Sequence, residues 1–109
     1  MKLQEIIEKL SLKALTNVED KDVSGVFISD MLSDVMSSAQ AGNIWLTVQT
    51  HKNIVSAANL IDISAVLITY DKKVPDDTIE LANRFHVIIL SSPLSSFQLA
   101  SKLVEAGLK

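Results

Sequence analysis

Two short stretches, Ala65–Ile68 (A-V-L-I) and Val87–Leu90 (V-I-I-L), are apolar at every position. A strand with water on one face alternates apolar and polar residues, because successive side chains point to opposite faces. Strands that are apolar throughout must be covered on both faces, the condition of a parallel sheet sandwiched between helices. Parallel neighbours also need a crossover long enough to hold a helix, and the segments between the apolar runs carry helical periodicity.

Leu3, Ile6, Ile7 and Leu10 recur at the spacing of one helix face and mark an opening helix. Leu12 to Thr16 is a candidate short strand, Asn17 to Asp22 a polar, acidic turn, and Val23 to Ser29 a buried strand candidate. Met31, Leu32, Val35, Met36 and Ala39 form a helical stripe that Gly42 is expected to close as C-cap. Three further units follow: strand Ile44–Gln49 and helix Asn53–Ile61, strand Ala65–Tyr70 and helix Pro75–Phe85, strand Val87–Leu90 and helix Pro93–Ala106. Pro75 and Pro93 suit first-turn positions where the missing N–H costs nothing, with Ser92 the expected N-cap before Pro93. Asp76, Asp77 and Glu80 favour the positive end of their helix. The expected fold is α/β: a single three-layer domain over residues 1–109, with a mostly parallel sheet of four or five strands and helices on both faces.

Composition narrows the function classes. Hydrophobic residues make up 48% of the 109 residues against 21% charged, which supports a packed core, and an aromatic share of 5% makes that core aliphatic. A net charge of −3 removes the electrostatic term that nucleic-acid binding depends on. The absence of cysteine excludes disulfides, thiolate metal sites and a Cys nucleophile. No apolar run approaches the length of a membrane span and no signal-peptide pattern opens the chain, so the expectation is a cytoplasmic protein without nucleic-acid or membrane partners.

Polar residues fall where strands hand over to helices. Asp30, Gln49, Thr50, His51, Thr69, Tyr70, Ser91 and Ser92 occupy such junctions. In a parallel sheet these gather at the carboxyl edge, where ligands bind in open α/β folds. His51 there could read a ligand or titrate beside Asp30 or Asp34, or its ring could simply cap the helix beginning at Asn53. A metal held by Asp30, Asp34 and His51 would use mixed oxygen and nitrogen ligands, but the spacing is no recognisable ligand pattern, and no metal or cofactor is expected. Trp45, near the start of its strand, suits core packing or a subunit contact, whereas Tyr70 ends its strand and is a stacking candidate. Ser91, Ser92, Ser95 and Ser96 surround a helix start that could hold an anion or merely be capped. Lys72 and Lys73 could draw an anion to the same edge or be solvated. His86 precedes a buried strand and is expected to pack or hydrogen-bond there.

The stretch from Asp30 to Ala58, above all W-x-T-x-Q-T-H-x-N-I-V from Trp45 to Val55, resembles the small stand-alone DRTGG-domain proteins. Ala65–Ala82 and Ser91–Leu103 resemble that family's third and fourth strand–helix units, so the likeness covers nearly the whole chain. The wider family is similar to the amino-terminal domain of HPr kinase/phosphorylase, and it also occurs beside CBS domains in regulated pyrophosphatases. The resemblance implies a regulatory role with no established ligand. The chain departs from the naming motif: Thr50-His51-Lys52 stands where an Asp-Arg pair is usual, and Tyr70-Asp71 follows Thr69 where two glycines are usual.

None of Gly25, Gly42 and Gly107 opens or closes a G-x-x-x-x-G-K-[ST] loop, so the apparatus of phosphoryl transfer is missing and a kinase active on its own is not expected. The expected function is a non-catalytic regulatory or ligand-sensing domain. It would bind a small anionic ligand, such as a nucleotide, at the strand carboxyl ends and act in trans on a metabolic enzyme, with a homodimer or docking to that enzyme as its assembly. The alternatives are a small enzyme with His51 as general base, oriented by Asp30 or Asp34, and a purely structural interaction subunit.

Overall fold

In the computed structural model, which describes residues 1–108, the apolar strands form the middle of a layered sheet with helices on both faces. Lys109, the last residue of the expected domain span, lies outside the described residues. The elements run α1 (Leu3–Leu10), β1 (Lys13–Ala14), β2 (Val26–Ile28), α2 (Leu32–Ser38), β3 (Ile44–Thr47), α3 (Asn53–Ile61), β4 (Ala65–Ile68), α4 (Asp76–Arg84), β5 (Ile89–Ser91) and α5 (Ser96–Glu105). Spatial order in the five-stranded sheet is β1-β5-β4-β3-β2. β2 to β5 are mutually parallel, and β1 alone runs antiparallel, to β5.

Side-chain alternation along the strands sorts the core into two halves. Ile44, Leu46, Ala65, Leu67, Ile88 and Leu90 meet Leu3, Ile6 and Leu10 of α1 and Leu99 and Leu103 of α5. The intervening residues Trp45, Val66, Ile68 and Ile89 meet Val35 of α2, Ile54 and Ala58 of α3 and Ala82 of α4. Both faces are covered, which is why β3 and β4 are buried at every position and contain no alternation. Among the described residues, no helix is long and apolar enough to cross a membrane.

Helix α3 keeps the expected bounds Asn53–Ile61, while several other expectations shift. The stretch Val23–Ser29 forms a strand only at Val26–Ile28, and that strand is half-buried, because β2 is the sheet edge and has one neighbour. Strands β3 and β4 stop short of Gln49 and Tyr70; at β4 the cause is local, since Tyr70 and Asp71 both adopt left-handed backbone and turn the chain. The last strand begins at Ile89 instead of Val87, whose amide donates to the Ala82 carbonyl at 2.8 Å and closes α4.

Gly42 is not the C-cap of α2, which ends at Ser38 with Ala39 as cap. It serves a turn instead: at φ +86° its amide donates to Asp62 and its carbonyl accepts from Ser24, and a Cβ would come within 2.5 Å of the Ser24 hydroxyl oxygen. Nor does Ser92 cap the last helix. Its amide donates to the Ile68 carbonyl and its own carbonyl accepts from Asp71, which holds Ser92 to the sheet, so Pro93 precedes the helix rather than opening it. Ser95 takes the cap in a capping box with Gln98, its hydroxyl accepting from the Gln98 amide at 3.1 Å. His86 is exposed at φ +58° rather than packed, and its Nδ1 lies 3.4 Å from a Glu19 carboxylate oxygen.

Candidate functional site

Because β2 to β5 are parallel, their carboxyl ends share one edge of the sheet; Ser91 is the last residue of β5, and the other seven junction residues follow a strand end. β1 runs the other way, so its first residue also lies at this edge: Lys13 pairs with Ser91. Lys13 is not among the expected site residues, because a two-residue strand carries no signal of its direction.

At the β2/β3 ends, one carboxylate oxygen of Asp30 accepts from the Thr47 hydroxyl at 2.8 Å and from the Val48 amide at 2.9 Å. The Thr47 hydroxyl oxygen in turn accepts from the Gln49 amide at 3.1 Å, and the Gln49 side-chain amide donates to the Asp30 carbonyl at 3.1 Å. Asp30 and Gln49 are therefore brought together through Thr47, which is 1% exposed and was not among the expected site residues. Trp45 anchors the same loop from below: it is fully buried, with its indole N–H donating to the Ser29 carbonyl at 2.8 Å, in keeping with the core reading.

At the β4/β5 ends the chain makes a tight turn over Thr69-Tyr70-Asp71-Lys72, closed by the Lys72 amide donating to the Thr69 carbonyl at 3.3 Å. Tyr70 and Asp71, its central residues, have φ of +59° and +52°. Two successive left-handed residues make the turn that glycine or asparagine normally supplies, so the conformation suited to two glycines survives with bulkier residues. The neighbouring loop holds it in place, with the Tyr70 amide donating to the Leu94 carbonyl and the Asp71 amide to the Ser92 carbonyl. Ser91, 6% exposed, donates its hydroxyl to the Asp71 carboxylate at 3.4 Å, and the Ser92 hydroxyl accepts from the Leu94 amide. Thr69 is fully buried, its amide donates to the Thr47 carbonyl, and its hydroxyl has no hydrogen-bond partner among the described residues.

The remaining expected residues play quieter parts. Thr50 accepts the Thr78 hydroxyl on its carbonyl at 3.0 Å, which ties the strand end to α4. His51 is exposed and its Nδ1 faces the Asn53 amide at 3.4 Å, the helix-end reading. Among the described residues no hydrogen bond links His51 to Asp30 or Asp34, and Asp34 accepts from Ser29 instead. A general base oriented by a carboxylate is thus not assembled, and no group of three or more potential metal-ligating side chains gathers among the described residues. An apolar groove of about 270 Å³ beside Val55, Leu60 and Phe85 lies on the outer helical layer, away from the strand ends.

Polar groups thus converge on one edge of the sheet, the edge at which open α/β folds take ligands. No curated protein resembles the sequence closely enough to count as a relative. A similar solved structure is the CBS and DRTGG domains of the regulatory region of Clostridium perfringens pyrophosphatase, complexed with the activator diadenosine tetraphosphate. It superposes with a TM-score of 0.73 at 19% identity over 95% of this chain, which spans 46% of that one, and the likeness is one of fold. The family model described as the DRTGG domain matches residues 5–106, and the chain belongs to that family.

Proposed function

We propose that this chain is a non-catalytic regulatory domain that binds a small anionic ligand of the nucleotide class at the carboxyl edge of its sheet and acts on a metabolic enzyme in trans. The observation that carries the reading is the buried Thr69 hydroxyl, without a partner among the described residues, beside two left-handed non-glycine residues. Buried polar groups are almost always satisfied, and backbone strain of about 1–3 kcal/mol per residue concentrates at functional positions. Family membership supports a regulatory role, and the pyrophosphatase neighbour is a regulatory region with a nucleotide activator.

Partner contact has support at the same edge. Ile28, Met31 and Tyr70, with 49%, 60% and 56% of their surface exposed, lie at or just after strand carboxyl ends, and Phe97, 82% exposed, lies in the first turn of the helix that follows β5. A homodimer or a docked enzyme would cover them. Light scattering across a concentration series tests the homodimer, and a monomer throughout removes it.

The ligand test is a thermal-shift screen of wild type, His51→Ala and Thr69→Val against adenine and guanine nucleotides, diadenosine tetraphosphate and acyl phosphates. Replacing the orphan hydroxyl by a methyl is expected to raise the stability of the free domain by about 1 kcal/mol, since it removes an unsatisfied buried group. The same change is expected to shrink the shift from the true ligand, which at about 100 times its Kd contributes about 2.7 kcal/mol in wild type. A screen in which no compound stabilises wild type refutes the ligand-sensing reading and leaves the interaction subunit.

A further inference from the structure

Between β1 and the turn after β4 lies a cleft of about 350 Å³ lined by Lys13, Lys72, Lys73, Asp71 and Ser91. Leu15, Val74 and Ile79 form its apolar wall. It opens on the α4 side of the sheet, the side to which Ser91 points by alternation from Leu90. Its cations come from two distant parts of the chain, since Lys13 stands opposite Ser91 in the β1·β5 register while Lys72 and Lys73 leave the left-handed turn.

Three features point to a ligand of high charge density. The cleft holds three of the chain's ten Lys and Arg residues, although the net charge of the protein is −3. None of the three lysines forms an ion pair among the described residues; Lys2, Lys9 and Lys52 do, with Asp22, Glu5 and Asp77. Among the described residues Asp71 is the one acidic residue in the lining, and its carboxylate already accepts the Ser91 hydroxyl, so three positive charges face a single negative one. A cluster of like charges repels itself and persists most favourably when an anion joins it, and lysine serves phosphate as a point charge on a flexible stem.

We infer that this cleft takes a compact oligophosphate, two or three linked phosphates, with Lys13, Lys72 and Lys73 as its counter-charges. This deepens the anion-binding reading of the strand-end edge, and rests on it, by assigning the phosphate-bearing part of the ligand to the β1/β5 corner. The volume lies at the lower end of the range for small-molecule sites, about 300 Å³ and upward, and exceeds what one phosphate needs. The apolar wall of Val74 and Ile79 closes one side against water.

Calorimetric titration with tripolyphosphate, pyrophosphate and orthophosphate tests it, using wild type, Lys13→Gln and the double variant Lys72→Gln/Lys73→Gln. Affinity is expected to fall from tripolyphosphate to orthophosphate and to weaken as sodium chloride rises from about 0.05 to 0.5 M, where screening shortens to a few ångströms. Each lost lysine is expected to weaken tripolyphosphate binding up to about five-fold, the upper range for an exposed ion pair. The free variants should melt at or slightly above wild type, because the lysine side chains are exposed, form no ion pair among the described residues and repel one another. No binding of tripolyphosphate, or binding undiminished in both lysine variants, overturns the inference. A nucleotide that stabilises wild type and lysine variants equally, but loses its effect in Thr69→Val, would overturn this cleft while sustaining the strand-end sensing site.

Discussion

Replacing Asp30 by alanine tests whether the first polar junction is a ligand reader or a structural clamp. Its carboxylate oxygen accepts two hydrogen bonds, from the Thr47 hydroxyl at 2.8 Å and the Val48 amide at 2.9 Å. A bond to a charged acceptor contributes about 1.5 kcal/mol or more. The two differ in what replaces them: Asp30 and its loop are exposed, so water can reach the Val48 amide, whereas Thr47 is 1% exposed and its hydroxyl has no such recourse. The expected loss for Asp30→Ala is therefore about 2 kcal/mol, most of it from the stranded hydroxyl, or about 10 °C in Tm for a domain of this size. In a Thr47→Val background the hydroxyl is already gone, so the same alanine should cost only about 1 kcal/mol, giving a coupling of about 1 kcal/mol. Urea denaturation of the four proteins of this cycle, read at constant m, supplies the measurement. Strict additivity, or a loss for Asp30→Ala below about 0.5 kcal/mol, would refute the clamp and free Asp30 to be a ligand contact alone.

Three more expectations concern the scaffold. Ser11 caps α1 in left-handed backbone at φ +54°, so Ser11→Gly should stabilise by about 0.5–1 kcal/mol, the relieved strain less the extra entropy of the unfolded chain; a lower Tm would contradict the cap geometry. Gly42→Ala meets φ +86° and the Ser24 hydroxyl, and should lose about 1–2 kcal/mol by chemical denaturation, with an unchanged midpoint as the contrary result. Trp45→Phe empties part of a fully buried site and strands the Ser29 carbonyl, so a loss of about 2–3 kcal/mol is expected, and a loss under about 1 kcal/mol would mean the loop carrying Asp30 does not depend on the indole.

What could be read from the sequence follows the distance over which each feature is decided. Asn53–Ile61 kept its bounds because its apolar stripe and its ends are local properties of the chain. Ser92 and Ser95 look alike as N-caps in a string of serines; the choice went to Ser95 because the backbone of Ser92 is held to β4 and the turn after it. The same holds within the candidate site. Polar junction residues were visible at each strand end, but the role of Thr47 as the bridge between Asp30 and Gln49 depends on β2 lying against β3, and nothing in the tetrapeptide I-W-L-T announces it. His86 does not pack, for a related reason: a left-handed helix end turned its ring outward, to where its Nδ1 meets Glu19.

By itself the sequence determined the layers. Strands apolar at every position cannot tolerate water on either face, so helices had to cover both, and parallel strands then had to end at one shared edge. Only the tertiary structure decided the order β1-β5-β4-β3-β2 and the reversed direction of β1, because strand pairing joins residues far apart in sequence and leaves no periodic trace in either partner. That one reversal sets Lys13 across from Ser91, beside Lys72 and Lys73, and gives the carboxyl edge its cationic corner.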